Sequence, residues 1–271
     1  MKTGKEGLTW EQAVLWLKSR PEQDSLVKAC FYDDPLLAAA ERFYASTEWS
    51  AVQELVGPSR GKALDIGAGR GISTFALAKD GWSTTALEPD PSVIVGAGAI
   101  RTLAAEGHLR IDVVQTWGET LPFESASFDL VYVRQVLHHA YNLRQLCSEI
   151  GRVLKSGGMM IATREHVLSH RRDLDEFLKL HPLHSLYGGE NAFLLEEYLA
   201  AIDAAGIRLT NIFNPLESDI NLYPETRASV RARIARKLRL PSASLIPDAL
   251  LSLKGKLMKD PGRLYTFFGR K

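Results

Sequence analysis

Between residues 63 and 162, five short apolar runs alternate with helical segments, and this alternation restricts the fold more than any other feature of the chain. The runs cover 63–66, 83–87, 111–114, 128–133 and 159–162. Helical patterns cover 72–79, 92–106 and 141–154. Strands joined through helices of this length must run parallel, with right-handed crossovers, so the class is α/β. Helical segments near 172–180 and 193–205 lead to a sixth strand at 207–213, and a helical stretch over 226–258 leads to a seventh at 264–268.

The first 57 residues read as a helical cap before the sheet domain of residues 58–271. Thr9 and Gln12 fit a capping box, in which each side chain satisfies a free backbone N–H. A second helix is expected from Leu36 to Leu55, broken by Gly57-Pro58-Ser59-Arg60-Gly61. Within the sheet domain, 167–206 and 222–262 read as helical insertions. Hydrophobic residues make up 45% and charged residues 24%, which fits a globular chain and excludes a disordered one. No apolar run approaches the ~18 residues that span a bilayer. The amino terminus lacks an apolar signal core, and Cys30 and Cys147 form no CxxC pair, so a reduced, cytoplasmic setting is expected.

The strongest motif is Ala63-Leu64-Asp65-Ile66-Gly67-Ala68-Gly69-Arg70-Gly71-Ile72. An apolar strand enters a glycine turn that opens a helix, and glycine lets the backbone approach a ligand that a Cβ would repel. Glu88 lies 23 residues after Asp65, followed by Pro89, at the tip of the next strand. A carboxylate there can accept both hydroxyls of a ribose. The third glycine of a dinucleotide fingerprint belongs at 72, which is Ile72, so the spacing points away from NAD and toward another adenosine cofactor.

In these residues the chain resembles the class I S-adenosylmethionine-dependent methyltransferases, of the small-molecule, ubiquinone/menaquinone-methyltransferase-like type. Asp65-x-Gly67-x-Gly69-x-Gly71 matches the first motif of that family and Glu88 the second. Residues 118–123, 127–131, 136–139 and 149–158 follow in the family's order, so the likeness covers about residues 60 to 165. The resemblance implies a Rossmann-like, doubly wound, seven-stranded, mostly parallel sheet whose last strand is antiparallel. It implies S-adenosylmethionine as cofactor. Gly67, Ala68, Gly69 and Gly71 would pass the methionine part, Asp65 would orient the loop, and Glu88 would hold the ribose. Trp117, Gly118 and Glu119 would border the adenine, and Arg134 and Gln135 the methionine end. Many relatives carry an acid where this chain has Trp117; indole only donates, so Trp117 would stack or Glu119 would take the contact.

Methyl transfer displaces a neutral leaving group in line and needs no metal, so none is expected. A hydroxyl acceptor benefits from a general base, a role suited to histidine. Six of the seven histidines fall between His138 and His184. His166 is the first candidate base, followed by His138 and His139, because all three follow strands whose carboxyl ends face the ligand side of such a sheet. Each taken alone is more readily a polar loop residue or a helix-end partner. Arg164 joins them, and His181, His184, Tyr187, Glu190 and Asn191 around Gly188-Gly189 read as an acceptor-binding loop. His181 and His184 have metal-like i, i+3 spacing, but Pro182 disfavours a helix across the pair and no HExxH or cysteine partner accompanies it. Tyr32 and Tyr44 are candidate roof residues over the cofactor.

The net charge of +1 hides an asymmetry. Residues 227–271 carry 12 basic and 2 acidic side chains, giving +10, against −9 for the rest. Val230, Ile234 and Leu238 recur every four residues beneath the arginines, which makes a solvated surface helix the first reading. An anionic small-molecule acceptor ranks second, a membrane surface third and nucleic acid last. The expected function is methyl transfer to a small polar acceptor, with O-methylation of a sugar-like or other hydroxylated metabolite preferred. An NAD(P)-dependent oxidoreductase and a non-catalytic cofactor-binding module are the alternatives. The sequence carries no signal for an oligomeric state.

Overall fold

The apolar runs pair as strands of one sheet in a computed structural model that describes residues 7–271. Four helices come first: α1 (Trp10–Lys18), α2 (Asp24–Ala29), α3 (Leu36–Tyr44) and α4 (Thr47–Val56). The sheet region follows as β1 (Lys62–Ile66), α5 (Ile72–Lys79), β2 (Ser83–Leu87), α6 (Ala97–Glu106), β3 (Ile111–Val114), β4 (Phe128–Arg134), α7 (Leu143–Val153) and β5 (Leu154–Leu168). The remainder comprises α8 (Leu174–Leu180), α9 (His184–Tyr187), β6 (Phe193–Leu194), α10 (Leu195–Ala204), β7 (Arg208–Phe213), α11 (Arg227–Lys237), α12 (Asp248–Leu257) and β8 (Arg263–Arg270).

The strand order is β3-β2-β1-β4-β5-β8-β7. The first five are parallel, and β8 runs antiparallel to both β5 and β7. The α/β class, the mostly parallel sheet and the antiparallel last strand therefore stand. The order reverses between β1 and β4, and the carboxyl ends of the strands there open the crevice in which such sheets bind ligands. Two details differ from the sequence reading. β6 is an eighth, two-residue strand parallel to the end of β5, where a helix start was expected. β5 runs to Leu168 rather than ending at 162. The polar run Thr163-Arg164-Glu165-His166 hides the strand in sequence, but ladder hydrogen bonds are backbone bonds, and β8 supplies them whatever the side chains.

β5 also carries a bulge. Ala162 faces Phe267 and Glu165 faces Tyr265, so three steps on β5 meet two on β8. Arg164 takes a left-handed φ of 59°, and its N–H donates to Oγ1 of Thr266 at 3.3 Å. The extra residue re-aims the end of the strand.

One face of the sheet packs Leu64, Val131, Val133, Met160 and Phe267 against Ile150 of α7 and Tyr198 of α10. The other packs Leu130, Tyr132 and Ile161 against Phe43, Trp49 and Val52 of α3 and α4. Hence α3 and α4 share the main core. α1 and α2 instead pack Ala13, Leu17 and Val27 on Leu183 and Leu186. Thr9 and Gln12 form the expected capping box at α1. The basic segment builds its own small core from Leu216, Val230, Ala235, Ile246 and Leu251. Its arginines are partly spent on local carboxylates: Arg227 and Arg231 on Asp248, and Arg233 on Glu225. Among the described residues, no helix is long and apolar enough to cross a membrane.

Candidate functional site

β1 ends in the glycine turn, with Gly67, Gly69 and Gly71 at φ of 65°, 54° and 85°. The turn is tied to β2, because the N–H groups of Gly67 and Ala68 both donate to the Leu87 carbonyl, at 2.8 and 3.1 Å. Asp65 is buried and anchors the helix that follows: its Oδ2 accepts from Ser73 Oγ at 2.7 Å and Thr74 Oγ1 at 2.6 Å. Its other oxygen is buried without a partner. Burial pushes the Asp65 carboxyl up to about 6, although both hydroxyls favour the charged form.

Glu88 sits at the tip of β2 beside this turn. One of its oxygens accepts from Gly69 N–H at 2.7 Å and the other from Asp90 N–H at 2.9 Å. Burial pushes Glu88 up to about 7, against those two amides. Each carboxylate oxygen retains a lone pair for a hydroxyl. A Cβ on Gly69 would meet nothing nearer than the Val95 carbonyl at 4.0 Å, so the space before that glycine is open. The unpartnered Asp65 oxygen, the open space at Gly69 and the acceptor pair on Glu88 fit a cofactor with an amino group and a ribose. Trp117 is 66% exposed and free to stack on a base. Gly118 lies against Ile66 and Leu146, where a Cβ would come within 3.1 and 2.7 Å. Glu119 instead accepts from the Tyr141 N–H at 3.1 Å.

Several expected contacts are directed elsewhere. Arg134 points to α4, where its Nε and Nη2 donate to Glu48 at 2.7 and 3.0 Å; its Nη1 donates to Gln135 at 3.2 Å. Arg164, expected beside the acceptor, donates to the carbonyls of Ile220 and Tyr223 at 2.9 and 3.2 Å and lies 3.8 Å from Glu48. Tyr44 donates to Asp80 at 2.9 Å, whereas Tyr32 joins Trp10 and, through it, Tyr187. Arg70, within the glycine turn, donates to the carbonyls of Phe31 and Asp33 and to Asp34, and so ties the amino-terminal segment to the cofactor loop.

The histidines converge. The rings of His138 and His139 are 4.2 Å apart, those of His138 and His166 4.7 Å, and those of His166 and His181 6.0 Å. Glu165, not singled out as a site residue from the sequence, organises them. Its carboxylate accepts the N–H groups of Val136, Leu137 and His138 at 3.0, 3.1 and 3.0 Å, and lies 2.7 Å from His138 Nδ1. The available signal was its place in the polar run Thr163-Arg164-Glu165-His166 that directly follows an apolar strand. Burial pushes Glu165 up to about 7 and holds His166 down at about 4. His166 gives its Nδ1 to the Gly262 carbonyl at 2.6 Å. Glu190 is buried beside His138, His139 and His181, and accepts from the Tyr187 hydroxyl. Neither His184 nor Asn191 forms a hydrogen bond or ion pair with that carboxylate, and His184 Nδ1 is buried without a hydrogen-bond partner. Val136 joins the two halves: it would meet a Cβ on Gly67, and its N–H binds Glu165.

Comparison with known proteins agrees with this geometry. A family profile described as a methyltransferase domain matches residues 64–162. A ubiquinone biosynthesis O-methyltransferase of Methylocella silvestris is 35% identical over 37% of this chain and 38% of its own length. A sarcosine/dimethylglycine N-methyltransferase of Aphanothece halophytica is 35% identical over 39% of this chain and 38% of its own. The chain thus spans under two-fifths of the length of these curated relatives. Among solved structures, a geranyl diphosphate C-methyltransferase from Streptomyces coelicolor superposes with a TM-score of 0.60 at 15% identity, over 89% of this chain and 84% of that one.

Proposed function

The chain carries a class I S-adenosylmethionine-dependent methyltransferase domain, and from that premise we propose that it methylates a hydroxyl oxygen of a small, sugar-like or otherwise hydroxylated metabolite. The observation that carries this reading is the convergence of His138, His139 and His166 with Glu190 past the carboxyl end of β4 and within the last residues of β5, joined to the cofactor turn through Val136. The cofactor supplies a methyl group on a positive sulfur. Gly69 leaves room for it, Glu88 would hold the ribose, Trp117 would stack on the adenine, and Asp65 keeps the turn in place. On the acceptor side, His166 is the preferred base: with Nδ1 committed to Gly262, its Nε2 lone pair is available for the hydroxyl proton. His139 is the more accessible ring, with 37% of its side chain exposed, and is the second candidate. Nitrogen methylation is the competing reading, since one relative is a sarcosine/dimethylglycine N-methyltransferase.

The deciding experiment transfers a labelled methyl group from S-adenosylmethionine into a panel of hydroxylated and amine metabolites. Label is expected in an oxygen acceptor, and His166→Ala should lower the rate about 10²- to 10⁴-fold, the usual worth of a general base. An undiminished rate removes His166 from the reaction, and label only in amines removes the oxygen reading.

The Glu88 environment makes cofactor affinity depend on pH. Its carboxyl, pushed up to about 7, is charged above that pH and protonated below it. The protonated form is a poorer acceptor for ribose hydroxyls. S-adenosylhomocysteine affinity measured by calorimetry should therefore fall as pH drops from about 8 to about 6, by at most about tenfold per unit below 7. Glu88→Gln should bind more weakly throughout and flatten the profile. A profile that Glu88→Gln leaves unchanged assigns the dependence to another group.

A further inference from the structure

The orientations of the histidine rings say more than the methyl-transfer reading uses. His138 Nε2 lies 4.0 Å and His139 Nε2 lies 3.8 Å from the same oxygen of Glu190. These three donor atoms all lie within 4.8 Å of one another. The opposite nitrogen of each ring is already engaged: His138 Nδ1 by the Glu165 carboxylate at 2.7 Å, and His139 Nδ1 by the Gly189 carbonyl at 3.3 Å. The Gly189 carbonyl is a pure acceptor, and so is Glu165 in its charged form, in which both rings carry a proton on Nδ1. In the neutral rings two Nε2 lone pairs therefore face a buried carboxylate oxygen. Three acceptors converging on one point repel one another unless a proton or a metal cation sits there.

The outer contacts match those of a metal centre. Ligating histidines hand their second ring nitrogen to a carboxylate or a backbone carbonyl, which fixes the tautomer and raises the basicity of the ligand. The Glu190 carboxylate is steered by the Tyr187 hydroxyl on its other oxygen. His181 Nδ1 stands 3.6 Å from that second oxygen and is buried without a hydrogen-bond partner.

We infer that His138, His139 and Glu190 bind one divalent ion of the zinc class, with a remaining coordination position open to the acceptor. Two imidazoles and one carboxylate suit zinc or cobalt, whereas magnesium and calcium prefer all-oxygen sites. At zinc–nitrogen distances of ~2.0–2.1 Å, tetrahedral donors stand about 3.3 Å apart, so the two ring nitrogens need to approach the carboxylate by about 0.5–0.7 Å and no pair by more than about 1.5 Å. Three protein ligands and an open position are the pattern of catalytic rather than structural zinc. The ion's role toward the acceptor rests on the oxygen-methylation reading: a hydroxyl on the open position would lose its proton more readily. The binding site itself does not depend on that reading.

The test titrates the full chain with zinc, and separately with cobalt(II), whose visible absorption reports its coordination. Wild type should retain one ion per chain after dialysis. Glu190→Gln and His139→Ala should bind at least about tenfold more weakly, and Glu165→Gln about 10- to 100-fold more weakly through its hold on His138. S-adenosylhomocysteine affinity of Glu190→Gln should be unchanged, which shows that the variant is folded. A wild type that holds neither metal overturns the inference, as does equal metal affinity in wild type and Glu190→Gln. Failure of labelled methyl transfer to any hydroxyl, with ion binding intact, removes the acceptor reading and leaves the site standing.

Discussion

Glu48→Gln is expected to cost about 3–5 kcal/mol of folding stability, the scale for breaking one partner out of a buried ion pair. Glu48 is 0% exposed and holds two guanidinium groups, Arg134 through a two-pronged contact at 2.7 and 3.0 Å and Arg164 at 3.8 Å. Burial works against both arginines. At Arg134 the Glu48 charge more than offsets it, whereas Arg164 remains below its ordinary value. Glutamine keeps the shape of Glu48 and removes the charge, leaving two desolvated cations beside each other. Urea unfolding should show the loss as a lower midpoint at an unchanged slope. Glu41→Gln, at an exposed pair with Lys79, should change stability by less than about 1 kcal/mol. Replacing Glu48 with Leu and Arg134 with Met together should recover only part of the loss, because Arg164 keeps its charge. A Glu48→Gln cost no larger than that of Glu41→Gln defeats the prediction.

Gly67→Ala should weaken S-adenosylhomocysteine binding at least about tenfold, which is 1.4 kcal/mol. Two penalties add. A left-handed φ of 65° costs an L-residue about 1–2 kcal/mol. The new Cβ would lie 2.6 Å from Val136 Cγ2, an overpacking of about 1–3 kcal/mol. Val136 cannot retreat freely, because its N–H is bound to Glu165 at 3.0 Å. Adding Val136→Ala should recover the steric part and leave the conformational part. Gly69→Ala separates the terms differently: at a left-handed φ of 54° it should lose only the conformational ~1–2 kcal/mol of stability, with no atom nearer than 4.0 Å to clash, yet bind the cofactor poorly, because its Cβ enters the cofactor's space. Calorimetry and thermal melts on the variants check each point. Equal affinity for Gly67→Ala and wild type would mean that the turn does not face the cofactor.

Legibility from sequence followed the range of the forces involved. The glycine turn, Glu88 and the apolar strands are local patterns, each specified within about ten residues, and they survive in three dimensions. The end of β5 was missed because Arg164, Glu165 and His166 break the apolar period, while the hydrogen bonds that make it a strand come from β8, about a hundred positions later. Arg134 and Arg164 read as ligand-side cations because their partner, Glu48, lies far upstream on α4 and carries no motif. The Arg70 contacts with residues 31–34 are equally remote in sequence. The histidine concentration was visible as a count. Which rings meet was not, because His138, His166 and His181 come from three separate elements.

The single extra residue in β5 has a consequence for the chain's tolerance of length change. Successive residues of a strand point to opposite sides, and here Arg164 turns to the Glu48 layer while Glu165 turns to the histidines. Removal of one residue between Ala162 and Glu165 would let two steps on β5 meet two on β8 and leave Glu165 opposite Tyr265. The turn at 136–138 would then keep the acceptor for its three N–H groups, while the Arg164 contacts with Ile220, Tyr223 and Glu48 would be lost if Arg164 is the residue removed. A homologue one residue shorter in this stretch is expected to keep the carboxylate behind His138 and to give up the second buried arginine.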